Sequence, residues 1–274
     1  MQENRVTATF SRLAKRDECA LICYVVAGYP DIITTAKAID SLVAGGADII
    51  ELGIPFSDPI ADGPTIQEAS HKALENGVTP EKALAFARSV RKKHPDLPLL
   101  AMTYSNILVR AGLDKFMSKA KASGFDGFIL PDMPLEEAGR YSSLASKYEL
   151  STVLLASPNT PDERLQKIVE NSSGFVYIVS VYGVTGARKS FEDYTLDAIK
   201  RTKQVARSRI PVGVGVGIST PKHARLMINA GADAIIIGST IVDKLPRSSD
   251  NKKQRLKMLE NYAKSMKAAC VHRV

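Results

Sequence analysis

Eight short apolar runs, rich in Val and Ile, constrain this chain more than any other feature: residues 21–27, 49–54, 99–104, 127–130, 152–156, 175–180, 212–216 and 234–238. Stretches with helical periodicity separate them, giving a βαβα alternation from one end to the other. Near-continuous hydrophobicity within each run means burial on both faces, as parallel strands require. No linker breaks the series, and 274 residues fit one closed barrel of about 250 residues. The expected fold is α/β, a single (β/α)8 TIM barrel of eight parallel strands with an extra N-terminal helix, residues 1–274 forming one domain. An open eight-stranded sheet is the alternative.

Local signals support the alternation. Ala44-Gly-Gly-Ala-Asp48, Ala122-Ser-Gly-Phe-Asp126 and Ala230-Gly-Ala-Asp233 each place Gly and then Asp between a helix end and a strand, and Gly closes helices in the left-handed conformation. Thr160-Pro161-Asp162-Glu163 reads as a capping box, and Thr220-Pro221 as a cap followed by a first-turn proline.

Composition excludes several classes. The net charge of +8 is dispersed over helices, and the densest basic stretch, from Asn251 to Lys264, reads as the solvated face of a terminal helix. No interleaving of aromatic and basic residues marks a nucleic-acid surface. No run is long enough to span a membrane and the first ten residues lack an apolar signal core, so a cytoplasmic location is expected. Cys19, Cys23 and Cys270 have no His or further Cys at ligand spacing; they read as buried small residues, and no metal is expected. His71, His94, His223 and His272 fall beside Lys and Arg and read as surface positions.

The chemistry concentrates after the second run, in Glu51-Leu-Gly-Ile-Pro-Phe-Ser-Asp-Pro-Ile-Ala-Asp-Gly-Pro-Thr-Ile-Gln67. A carboxylate, Glu51, stands near a strand's carboxyl end, and the following loop carries Asp58 and Asp62. That edge is where α/β proteins do chemistry. Ile54, Phe56 and Ile60 in the same loop read as a pocket wall. After the sixth, seventh and eighth runs come Gly183 and Gly186, then Gly213, Gly215 and Gly217, then Gly238-Ser239. Glycines there let backbone N–H groups approach a phosphate; the other reading is that Gly213 and Gly215 make room inside a crowded barrel.

The stretch from Glu51 to Gln67 resembles the signature of the tryptophan synthase α subunit family. It is joined in order by Ala27-Gly-Tyr-Pro30, Tyr104-Ser-Asn106, Pro131-Asp-Met-Pro134, Gly183-Val-Thr-Gly-Ala187 and Gly217-Ile-Ser219. The resemblance covers nearly the whole chain. It implies a lyase of tryptophan biosynthesis that splits indole-3-glycerol phosphate into indole and glyceraldehyde 3-phosphate without metal or organic cofactor. Glu51 would be the acid-base residue, and Asp62 would bind the indole N–H. Gly186, Gly215, Gly217, Gly238 and Ser239 would hold the phosphate, while Tyr24, Met102, Tyr177 and Thr185 would line the pocket. Tyr24 stands where the family commonly has Phe, and Met102 where it has Leu.

The resemblance further implies an αββα heterotetramer with a β subunit that carries pyridoxal phosphate and receives the indole. The loops 54–62 and 181–193 resemble segments that close over substrate and touch that partner. A stand-alone lyase and a weakly catalytic activator of the β subunit are the alternative functions. An isomerase or epimerase of sugar phosphates on the same fold is the rival outside the family.

Overall fold

The computed structural model describes residues 4–179, 191–207, 209–215, 217–245 and 251–271. Its strands are β1 (Ala20–Val26), β2 (Ile49–Gly53), β3 (Leu99–Met102), β4 (Gly127–Ile129), β5 (Ser151–Val153), β6 (Leu155–Ala156), β7 (Val176–Val179), β8 (Val212–Gly215) and β9 (Ala234–Ile237). Each expected run is found within two residues, and the fifth is divided in two. All strands are parallel, in the order β5-β4-β3-β2-β1-β9-β8-β7-β6. The two ends of that order, β5 and β6, are halves of one strand broken at Leu154, and Tyr177 N–H donates to the Leu154 carbonyl at 3.0 Å. The ring therefore closes, and the open-sheet alternative is excluded.

Helices cover the outside: α1 (Arg5–Ala14), α2 (Ile32–Ala44), α3 (Pro64–Glu75), α4 (Pro80–Lys93), α5 (Ser105–Ala111), α6 (Leu113–Ala122), α7 (Leu135–Lys147), α8 (Asp162–Asn171), α9 (Phe191–Ala206), α10 (Pro221–Asn229), α11 (Ser239–Lys244) and α12 (Lys252–Ala269). The extra N-terminal helix is α1, started by the Asn4 side chain accepting from Val6 N–H. Its Val6, Phe10 and Leu13 enter the barrel's interior cluster with Ile22, Ile49 and Phe175. Phe10 meets Phe175 with ring centroids 5.8 Å apart. Burying such side chains stabilises by about 1.5–3 kcal/mol each, and α1 thereby plugs the end where the strands begin. The terminal helix α12 buries Leu259, Ala263, Met266 and Ala269 and leaves its basic residues mostly outside, as expected.

The repeated Gly–Asp device closes that same end. Gly46, Gly124 and Gly231 have φ of 97°, 92° and 108°, which L side chains rarely adopt. Each following aspartate then binds one residue at the start of the preceding strand twice. Asp48, Asp126 and Asp233 donate their N–H to the carbonyls of Leu21, Leu99 and Val212, all at 2.8 Å. Their carboxylates accept from the N–H of the same three residues at 2.9, 2.9 and 2.7 Å. A cation completes each: Lys267 at 2.9 Å, Arg91 at 2.7 Å and Lys203 at 2.7 Å.

Some local expectations are corrected. Thr160 forms no capping box: the N-cap of α8 is Pro161 with no side-chain bond, and Thr160 Oγ1 instead accepts from Ser157 N–H at 2.9 Å. Thr220 does cap α10, accepting from His223 N–H. His94 is no simple surface residue, because it is half-buried and its Nε2 lies 2.9 Å from Asp40 Oδ1; His71 is exposed, and His272 lies outside the described residues. Cys19, Cys23 and Cys270 are buried and form no disulfide among the described residues, and burial pushes the Cys19 and Cys270 thiols up to about 12. Among the described residues no helix is long and apolar enough to cross a membrane.

Candidate active site

At the other end of the ring, where the strands finish, a cavity of about 510 Å³ opens between the loops, a size suited to a small substrate. Parallel pairing sets Tyr24 of β1 beside Glu51 of β2, and Glu51 beside Leu100 of β3. Side chains alternate along a strand, so Glu51 shares the interior face with buried Ile49 and Gly53.

Glu51 is fully buried, and among the described residues neither carboxylate oxygen has a hydrogen-bond partner. Burial alone pushes its carboxyl from 4.5 up to about 8, because a low-dielectric site disfavours the charged form. Asp62 sits half-buried in the loop that leads into α3, where burial pushes its carboxyl up to about 6 against the lowering effect of a Tyr104 hydrogen bond. That bond runs from Tyr104 Oη to Asp62 Oδ2 at 3.0 Å, and the same hydroxyl accepts from Ala61 N–H at 3.0 Å. The Tyr104 ring stacks on Phe56 with centroids 5.0 Å apart. Two carboxyl groups thus face one cavity with their protonation ranges separated.

Of the residues expected at the site, Tyr24, Glu51, Asp62, Met102, Tyr177, Gly215, Gly217, Gly238 and Ser239 all line this cavity. Thr185 and Gly186 lie outside the described residues, as do Gly183 and the loop segment 181–190. The expected loop also ends earlier than residue 193, since α9 begins at Phe191.

Two glycines on this face make room for aromatic rings. A Cβ at Gly53 would strike the Tyr24 hydroxyl, and one at Gly215 the Tyr177 hydroxyl, so each bare position lets a ring from the neighbouring strand lie flat. Gly213 likewise leaves room for Phe175, 2.9 Å from where its Cβ would stand. The crowding reading is therefore right for the space at Gly213 and Gly215, while Gly215 also faces the cavity. Gly238 is looser: its Cβ would meet Tyr24 only at 3.7 Å.

The loop before α3 is less of a wall than expected. Ile54 is buried and Phe56 stacks, but Ile60 is 84% exposed, and Asp58 pairs with Ser57 away from the cavity. Missed by the sequence were Leu155, Ile236 and Ile66, apolar lining residues hidden within strand and helix patterns, and the hold of Tyr104 on Asp62. Only the position of Tyr104 just past a strand's carboxyl end could have pointed to it.

A family model described as tryptophan synthase alpha chain matches residues 10–271. The chain is 42% identical over 255 residues to the tryptophan synthase alpha chain of Methanothermobacter thermautotrophicus, covering 93% of both. It is 41% identical over 268 residues to that of Arabidopsis thaliana, covering 97% of this chain and 95% of the relative. Among solved structures, tryptophan synthase from Mycobacterium tuberculosis matches with a TM-score of 0.87 at 34% identity, over 99% of this chain and 100% of that one. Tryptophan synthase subunit alpha from Legionella pneumophila matches with a TM-score of 0.85 at 34% identity, over 98% of both. Sequence and backbone agree over nearly the whole length of these chains, and the chain belongs to the tryptophan synthase alpha chain family.

Proposed function

We propose that Glu51 and Asp62 divide between them the chemistry of this family's reaction. The chain is a carbon–carbon lyase of tryptophan biosynthesis, cleaving indole-3-glycerol phosphate to indole and glyceraldehyde 3-phosphate. The observation that carries the division is the buried carboxyl of Glu51, without a hydrogen-bond partner among the described residues and raised to about 8, with Asp62 on the same cavity raised only to about 6. Between those values Glu51 holds a proton and Asp62 is charged, the separation an acid and an electrostatic stabiliser need.

The neutral Glu51 carboxyl gives its proton to indole C3, and the ring nitrogen takes up positive charge. The Asp62 carboxylate accepts the N–H hydrogen bond and stabilises that cation where it forms. Glu51, now ionised, takes the proton from the glycerol hydroxyl next to C3. The carbon–carbon bond breaks, its electrons neutralise the ring, and an aldehyde leaves; Glu51 ends protonated as it began. The mostly apolar wall of Tyr24, Met102, Leu155, Tyr177 and Ile236 suits the indole ring. The phosphate rests on backbone groups of Gly215, Gly217, Gly238 and Ser239 together with Gly186, and Thr185 completes the pocket.

In this reading residues 1–274 act as one domain, the chain needs no metal or organic cofactor, and it works in the cytoplasm. Members of the family work with a β subunit; the assembly proposed is an αββα heterotetramer in which pyridoxal phosphate belongs to the partner. The test is indole release from indole-3-glycerol phosphate by the purified chain, alone and with a β subunit added. The chain contains no Trp, so in the assay of the chain alone indole-ring fluorescence comes from substrate and product only. Release that rises with the partner is expected; no release in either condition overturns the proposal.

A further inference from the structure

The plugged end of the barrel carries a second cleft, of about 450 Å³, walled by Arg5, Arg88, Arg91, Lys92 and Lys121 around the turn that precedes β4. Five cations converge there, and the acids near them are Asp126, Glu149 and Asp96. Three of the cations are fixed. Arg91 donates to the Gly124 carbonyl at 2.8 Å and to Asp126 at 2.7 Å, Arg5 pairs with Asp126 at 2.9 Å, and Lys121 reaches Glu149 at 3.2 Å.

The other two have donors to spare. Arg88 Nε donates to the buried Ser123 hydroxyl at 3.3 Å, and among the described residues its guanidinium has no carboxylate partner. The Lys92 ammonium has neither hydrogen bond nor ion pair among them. Held walls with spare cationic donors suit an anion, and a guanidinium fork matches phosphate oxygens in particular. Phe125 at the cleft is buried, so no aromatic face is offered on which a base could stack, as single-stranded nucleic acid would need.

We propose that this cleft binds a small multivalent phosphate anion, recognised through its di- or triphosphate group, at a site separate from the substrate cavity. Free pyrophosphate and the phosphate tail of a nucleotide share that chemistry. The experiment is isothermal titration of the full chain with pyrophosphate and, separately, with ADP at low ionic strength. Its control is the double variant Arg88→Gln, Lys92→Gln, which removes two exposed side chains that carry no ion pair in the described structure.

Saturable binding is expected, weakening as salt is raised and falling by about tenfold or more in the double variant, while kcat for indole release stays unchanged. Similar affinities for the two probes would support recognition of the phosphates. Binding of ADP tighter than pyrophosphate by about tenfold or more would assign recognition to the nucleoside and overturn the proposal. So would an absence of saturation with either probe, equal affinity in the double variant, or displacement by glycerol 3-phosphate, which would place the anion in the substrate cavity. None of these outcomes bears on the roles of Glu51 and Asp62.

Discussion

Two sets of carboxylates at opposite ends of this barrel are held in opposite ways. Where the strands begin, Asp48, Asp126 and Asp233 each bind backbone at the start of a strand and a cation. Where the strands finish, Glu51 has no hydrogen-bond partner among the described residues, and Asp62 has the phenol of Tyr104. The residue chemistry is nearly the same; the supply of donors differs. Satisfied lone pairs make an acid structural, since removing it strands its partners. Withheld donors leave an acid that prefers its proton, at a cost in stability, and such groups gather at functional sites.

Glu51→Gln tests this contrast most severely. The amide keeps the shape and carries no transferable proton, so kcat for indole release should fall by about 10²–10⁴ while glycerol 3-phosphate still binds. Stability should move the other way. Glu51 holds its proton more tightly folded than unfolded, with a carboxyl at about 8 against an ordinary 4.5. Its contribution is therefore complete below about 4.5 and is lost as pH rises through about 8. The Gln variant has no such loss and should exceed the natural chain by a few kcal/mol at about pH 9, measured by urea unfolding. A variant less stable than the natural chain at that pH would mean that Glu51 acts as the aspartates of the other end do.

Asp126→Ala is the mirror experiment. It leaves Arg91, with a side chain only 15% exposed, without its carboxylate, and it removes the acceptor of Leu99 N–H. A loss on the order of 3 kcal/mol is expected, read from the urea midpoint, with kcat and KM nearly unchanged at a temperature where the variant is folded. A fall in kcat comparable to that of Glu51→Gln would erase the distinction between the two ends.

The ring was legible because it rests on apolar runs, and burial on both faces leaves a strand little choice of residue. The division of the fifth strand was not: Thr152-Val-Leu-Leu-Ala156 reads as one unbroken run, and the break at Leu154 arises where one half pairs with β4 and the other with β7. In the Gly–Asp device the glycine could be understood from helix geometry, whereas the aspartate's partner lies in the strand before it, at Leu21, Leu99 or Val212. Glu51 and Asp62 stood out by position and by resemblance, but the gap between about 8 and about 6 depends on burial that only the closed barrel creates. Ile60 was misjudged because a loop has no periodicity from which to read a facing direction.

That gap makes a subtler prediction. If activity needs Glu51 protonated and Asp62 ionised, kcat/KM of the chain should be bell-shaped, rising through about 6 as Asp62 loses its proton and falling through about 8 as Glu51 does. Beyond each limb the rate should change about tenfold per pH unit. Limbs that both lie in the ordinary carboxylate range would remove the environmental difference on which the comparison rests.

Tyr104→Phe should have the smallest effect and removes the one side-chain donor that the Asp62 carboxylate has among the described residues. The ring remains to stack on Phe56, but the hydroxyl between Asp62 Oδ2 and Ala61 N–H is gone. Losing one such bond should cost about 1 kcal/mol of stability. The Tyr104 bond favours the ionised Asp62 and lowers its carboxyl, so the acid limb of the pH profile should move up, by less than about one unit, while the alkaline limb set by Glu51 stays in place. The shift at one limb alone separates a residue that positions Asp62 from one that merely packs the loop, because loosened packing would lower the whole curve. A uniform drop with both limbs unmoved would return Tyr104 to a structural role and leave Asp62 governed by burial alone.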